Sequence, residues 1–148
     1  LEQLVVAMEV IYRQPTTIQT KKLTELCQYV SQISGIPIPV NKPLVGANVF
    51  VEETAGHAIE QFECPTEGRS ICPEDIGGTL GVVYGKMTNE RVIELTARRA
   101  GRNISQDLIP KLLETLSILS EKQKGQCIYE KDFWTVVDSL ENILYEEE

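Results

Sequence analysis

His57 is the only histidine in a chain of 148 residues. An ordinary histidine titrates near pH 6.5, which suits proton transfer around neutrality. Glu52, Glu53 and Glu60 lie close by in sequence. If the segment is helical, Glu53 and Glu60 share a face with His57, where a carboxylate would orient the ring or favour its protonated form. The same spacing also describes a surface helix with one histidine among glutamates. What precedes His57 is stiff. Pro37, Pro39 and Pro43 hold the backbone extended, and Gly46 permits a sharp turn before an apolar-acidic segment.

The elements that position this histidine are mostly helical. Leu1, Leu4, Val5, Met8 and Ile11 recur at helical spacing, and Pro15 breaks that pattern. Thr20 is expected to cap a second helix, Lys21 to Ile33, with a stripe of Leu23, Leu26, Cys27, Val30 and Ile33 ended by Gly35. Val49 to Phe62 reads as a short helix, interrupted or kinked near Gly56. Glu63 to Gly81 reads as loop and turns, and Val82 to Tyr84 as a short extended segment. Thr88 is expected to cap a helix to Ala100 that stops at Gly101. Asp107 is preferred over Ser105 as the next cap, because Pro110 then falls in the first turn. That helix carries Leu112, Leu113, Leu116 and Leu119 and ends near Gly125. A last helix, roughly Glu130 to Tyr145, carries Phe133, Val137, Leu140 and Leu144 before an acidic tail.

Composition narrows the function classes. A formal charge of −8 argues against a nucleic-acid surface. No apolar run approaches a membrane span, and the start of the chain lacks a basic signal-peptide region. Cys27, Cys64, Cys72 and Cys127 form no C-x-x-C pair and make a poor zinc site. Cys64 and Cys72 flank a Pro/Gly loop and are the pair a disulfide would join. Reduced thiols in the cytoplasm are the expectation. A start at Leu1, already inside a helical pattern, suggests a fragment. Gly77, Gly78 and Gly81 lack any phosphate-loop or dinucleotide pattern.

The run SGIPIPVNKPLVGANVF, with His57 seven residues past Phe50, resembles the 2-isopropylmalate synthase/homocitrate synthase family. Pro73-Glu74-Asp75-Ile76-Gly77, Gly85-Lys86 and the helices before Gly35 extend the resemblance. These are metal-dependent Claisen-type condensing enzymes on a (β/α)8 barrel. The resemblance implies a mainly α fragment: terminal barrel-type helices at 1–35, a linker and first subdomain at 36–85, and a helical second subdomain at 86–148. It implies His57 as the catalytic acid/base, matching the last His of the family's F-x-H-x-x-G-I-H. Asn48 and Glu53 would face the active-site mouth, and Lys86 would meet CoA phosphates or a substrate carboxylate. Glu52 stands where the family has its first His, and the family's tyrosine before the Pro-Glu motif has no counterpart near Gly68-Arg69-Ser70. Tyr84 is the candidate substitute.

The family's metal ligands have no match in this chain. The resemblance therefore implies a divalent metal (Mn, Mg or Zn) held by a barrel outside it, and no cofactor within it. It also implies acyl-CoA and 2-oxo acid substrates and a homodimer, with this segment closing the active site but inactive alone. The altered residues around His57 favour an unusual member of the family, and if the natural chain ends at Glu148 no leucine-binding domain follows, which leans away from leucine synthesis. The alternative is a helical interaction module without catalysis.

Overall fold

The computed structural model describes residues 1–65, 69–122 and 127–146. Expectations touching Gly68, Gly125, and the side chains of Leu144 and the acidic tail lie outside the described residues. The fold is mainly helical, as expected: α1 (Glu2–Val6), α2 (Leu23–Ser34), α3 (Ala55–Glu63), α4 (Glu90–Ala100), α5 (Ile109–Lys122) and α6 (Glu130–Glu146). Two short strands, β1 (Val51–Glu52) and β2 (Gly81–Val82), pair in parallel. The chain forms two compact units, Leu1–Val51 with Thr66–Gly81 and Glu52–Pro65 with Val82–Glu148. These are drawn differently from the segments 1–35, 36–85 and 86–148, because the division runs through both paired strands. The bond from Gly81 N–H to the Phe50 carbonyl lies in the first unit, and that from Val83 N–H to the Glu52 carbonyl in the second.

In the first unit, Val5, Val6, Leu23 and Ile76 form the core, with Leu44, Phe50 and Ile71 packed against it. Of the stripe expected on the first helix only Val5 is buried. Beyond α1 the chain enters a π-helical turn, Ala7–Ile11, closed by Tyr12 N–H on the Ala7 carbonyl. This wider turn shifts later residues off the α-helical register. Leu1, Leu4, Met8 and Ile11 stay exposed. Glu2 is buried instead, and its carboxylate takes Lys42 Nζ at 3.1 Å. A bond from its own backbone N–H, then Lys42, hold that carboxyl below the usual range against the opposing effect of burial.

Thr20 does not cap α2. It opens a 3₁₀ turn, Thr20–Lys22, that runs into the helix, and Gly35 ends α2 at φ 68° as expected. On α2 only Leu23 is buried, while Leu26, Val30 and Ile33 are exposed. Thr24 Oγ1 donates to the Ile76 carbonyl at 2.8 Å, tying α2 to the 3₁₀ turn Pro73–Ile76. The turn after the prolines needs Gly46: a Cβ there would stand 2.5 Å from both Lys42 N and the Val40 carbonyl oxygen.

In the second unit α3 to α6 enclose Ala58, Val92, Ile93, Leu112, Leu116, Phe133 and Val137. Phe133 stacks on Tyr84 at 4.2 Å between centroids and meets Trp134 edge-on at 5.0 Å. The cap of α4 is Asn89, not Thr88: Val92 N–H donates to Asn89 Oδ1 at 3.0 Å. Thr88 Oγ1 is already taken by Gly85 N–H at 2.9 Å. Gly101 stops α4 at φ 65° as expected. Asp107 lies inside a 3₁₀ turn, Gln106–Leu108, that leads into α5, and Pro110 falls in the first turn of that helix as expected. Val49 to Phe62 is not one helix. β1 occupies Val51–Glu52, α3 begins at Ala55, and Gly56 sits in its first turn.

Candidate functional site

His57 rides on the first turn of α3. Ala58 N–H donates to the Thr54 carbonyl at 2.9 Å to start the helix. Ala58 and Gln61 turn inward and are buried, so the face between them and solvent carries the imidazole. The His57 side chain is 67% exposed, and Nδ1 lies 3.6 Å from Glu52 Oε2. Glu52 itself is anchored, because its carbonyl accepts from Val83 N–H at 3.0 Å. The carboxylate that meets the ring is therefore Glu52, from the strand before the helix. The helical pairing expected for Glu53 and Glu60 fails for Glu53, which precedes α3. Glu60 is on the helix, but among the described residues the carboxylate within 4 Å of the ring is that of Glu52.

Glu53 points elsewhere. A Cβ placed on Gly85 would lie 2.8 Å from Glu53 Oε1 and 3.0 Å from Ser120 Cβ, so the Glu53 carboxylate packs over the Gly85 turn. That turn is closed by the Gly85–Thr88 bonds in both directions, the return bond from Thr88 N–H to the Gly85 carbonyl measuring 3.1 Å. Lys86, the next residue, extends outward and pairs with Glu121 at 3.3 Å, both side chains well exposed. Glu53 and Lys86 are thus brought to one glycine-centred turn. Asn48 is half-buried and belongs to the first unit, its N–H donating to the Val40 carbonyl at 2.9 Å.

Tyr84 does not join this site. It is 2% exposed, and its hydroxyl lies 3.0 Å from Thr96 Oγ1. Burial pushes the phenol up to about 12, with the Thr96 hydrogen bond opposing. A buried hydroxyl already bonded, behind a stacked Phe133, offers nothing to a substrate. The sequence carries a signal for this: Val82-Val83-Tyr84 is an extended apolar segment, and its last residue packs inward.

No disulfide joins Cys64 to Cys72 in this structure. Among the described residues no three His, Cys, Asp or Glu side chains converge as metal ligands. The divalent metal that the resemblance implies would be held by residues outside this chain, and no step is derived through it. A groove of about 590 Å³ runs along α2, lined by Leu23, Leu26, Tyr29 and their neighbours, and none of the expected site residues lines it. No described helix is long and apolar enough to cross a membrane.

Comparison with protein-family models gives no match. Individual relatives do match. The chain is 34% identical over 121 residues to a probable 2-isopropylmalate synthase of Ignicoccus hospitalis, covering 82% of this chain and 30% of that protein. It is 29% identical over 140 residues to the homocitrate synthase AksA of Methanothermobacter thermautotrophicus, 95% of this chain and 35% of the relative. It is 27% identical over 147 residues to the (R)-citramalate synthase CimA of Methanocaldococcus jannaschii, 99% of this chain and 30% of the relative. The chain thus spans about a third of the length of these relatives. It belongs to the 2-isopropylmalate synthase/homocitrate synthase family, as a segment of that family's longer chain.

Proposed function

We propose that this chain is the lid and dimerisation portion of an enzyme that condenses an acyl-CoA with a 2-oxo acid, and that His57 moves a proton in that reaction. The observation that carries the reading is the exposed imidazole of His57, set 3.6 Å from the Glu52 carboxylate in a chain whose relatives are condensing synthases. Such a condensation removes a proton from the carbon next to the thioester and delivers one to the former ketone oxygen. An imidazole serves either transfer, because one ring nitrogen can accept a proton while the other carries one. Glu53 and Lys86, at the Gly85 turn, then bracket the substrate: Lys86 draws a carboxylate or phosphate, and Glu53 repels a second anion.

The barrel that would hold the metal lies in the remaining two thirds of such a protein, so this chain alone is inactive. The exposed rows on α1 and α2 support that arrangement. Leu1, Leu4 and Ile11 on one helical stretch and Leu26, Val30 and Ile33 on the other are apolar, yet remain exposed within this chain. An apolar row of that size marks a packing face. We assign it to the missing barrel, with the homodimer formed by subdomains reaching the partner.

The test is CoA release by the full-length protein with acetyl-CoA, Mn²⁺ or Mg²⁺, and 2-oxoglutarate, 2-oxoisovalerate, pyruvate or oxaloacetate in turn. Activity with one acid that His57→Ala abolishes supports the reading and names the substrate. Activity that survives the change removes His57 from catalysis. Silence with all four from folded protein leaves a binding module. Light scattering tests the assembly, and a monomeric full-length protein would sink the dimer.

A further inference from the structure

We infer that Glu52 is a positioning residue that fixes the tautomer of His57, leaving Nε2 as the nitrogen that exchanges protons with substrate; this rests on the proposed role of His57. The two residues come from different elements, each separately fixed. Glu52 ends β1 and is held by Val83 N–H on its carbonyl, and its side chain is two-thirds covered. His57 is held by α3, whose inner face is locked by Ala58 at 0% exposure. The ring thus pivots over an anchored carboxylate, with Nδ1 as the near nitrogen.

In the neutral ring only one nitrogen bears a hydrogen, and the hydrogen bond made by one decides the state of the other. A carboxylate accepts and cannot donate, so it selects hydrogen on Nδ1 and leaves a lone pair on Nε2. When Nε2 takes a proton, the imidazolium donates from Nδ1 to Glu52 and its charge is compensated; when Nε2 releases the proton, the ring returns to the starting tautomer. Both directions of an acid/base cycle then run through one atom. The 3.6 Å separation is a charge contact longer than a direct hydrogen bond, and a small ring rotation closes it. Catalytic contacts of this kind commonly tighten only when substrate binds.

Because His57 is the only histidine, its ring nitrogens give an unambiguous ¹⁵N spectrum in this chain. In alkaline buffer, where the ring is neutral, the wild-type spectrum is expected to show hydrogen chiefly on Nδ1. Glu52→Ala is expected to return the ring to the Nε2–H form usual for free imidazole side chains. Glu52→Gln is expected to keep the Nδ1–H form, since its amide oxygen still accepts. A wild-type ring already in the Nε2–H form, or one that Glu52→Ala leaves unchanged, overturns the inference. In the full-length enzyme Glu52→Ala should lower kcat at least tenfold with little change in KM, and Glu52→Gln should recover part of it. A kcat that Glu52→Ala leaves unchanged overturns the positioning role. The failures separate cleanly: if the tautomer behaves as stated but His57→Ala leaves CoA release intact, the catalytic reading falls and the ring geometry stands.

Discussion

The hydroxyl of Tyr84 lies 3.0 Å from Thr96 Oγ1, and Thr96 Oγ1 donates onward to the Val92 carbonyl at 2.8 Å. Since the threonine proton is committed to α4, Tyr84 is the donor in the pair. Tyr84→Phe should therefore cost about 1 kcal/mol, the usual net loss for one buried hydrogen bond, measured by urea unfolding. The phenol also carries a pH signature. Its folded pKa, about 12, is raised above the ordinary value of 10, so the folded state holds this proton more tightly than the unfolded state. The associated stability is fully present below pH 10 and is lost as the pH rises toward 12. That window is worth roughly 2–3 kcal/mol at 1.36 kcal/mol per unit. The wild-type protein should lose more stability across it than Tyr84→Phe does. Equal losses would mean that the ring is not buried in solution.

Gly77 and Gly101 share a left-handed backbone but differ in surroundings, and the difference is measurable. Gly77 has φ 72°, and a Cβ on it would overlap the Lys21 carbonyl oxygen. Gly101 has φ 65° with no atom within 4 Å of a Cβ. Gly101→Ala should cost about 1–2 kcal/mol, the left-handed penalty alone. Gly77→Ala adds a clash with backbone and should cost clearly more, lowering the melting temperature further. Similar costs at both sites would show that the Gly77 turn is free to move off Lys21.

Helices were legible where glycine and proline punctuate them: Gly35, Gly101 and Pro110 stand at or near the boundaries that the sequence marks. The cap of α4 was off by one because Thr88 and Asn89 are both good caps, and the competing demand of Gly85 N–H for the threonine is not local information. β1 was hidden for the same reason. Its partner β2 lies far along the chain, and a two-residue strand has no period to detect. The site was half legible. A lone histidine after a rigid turn pointed to His57, but helical spacing favoured Glu53 and Glu60, whereas the contact comes from Glu52 across a strand-to-helix turn. Periodicity located the stripe on α2 without telling whether this chain itself covers it, and most of it is exposed.

Arg102 anchors the loop after α4 onto α6. Its guanidinium lies 4.3 Å from the Trp134 ring centroid, with Asp138 Oδ1 at 2.5 Å and Glu141 Oε2 at 3.6 Å. Because the side chain is 37% exposed, solvent screens the ion pairs, and Arg102→Ala should cost only about 1 kcal/mol. Trp134 is the only tryptophan, so its fluorescence reports the contact directly. Arg102→Lys should keep the charge and lose the planar stacking. It should therefore shift the emission nearly as far as Arg102→Ala while costing less stability. An unchanged emission in both variants would show that the stack is not populated.

The exposed row on α2 separates a packing face from ordinary surface. Val30 is 49% exposed and Ile33 67% exposed, so in this chain glutamate at either position should change stability by no more than about 0.5 kcal/mol. Glutamate is also the better helix former, which pushes the change toward zero. In the full-length protein the proposed barrel covers the same face. There the double variant Val30→Glu with Ile33→Glu would place two carboxylates against apolar atoms, at a cost of several kcal/mol. Thermal unfolding of both lengths, with and without the double change, is the comparison to make. A large drop confined to the longer protein supports the covered face. A small and equal effect in both would mean that α2 faces water in the whole enzyme, and the assignment of these helices to the barrel would fall with it.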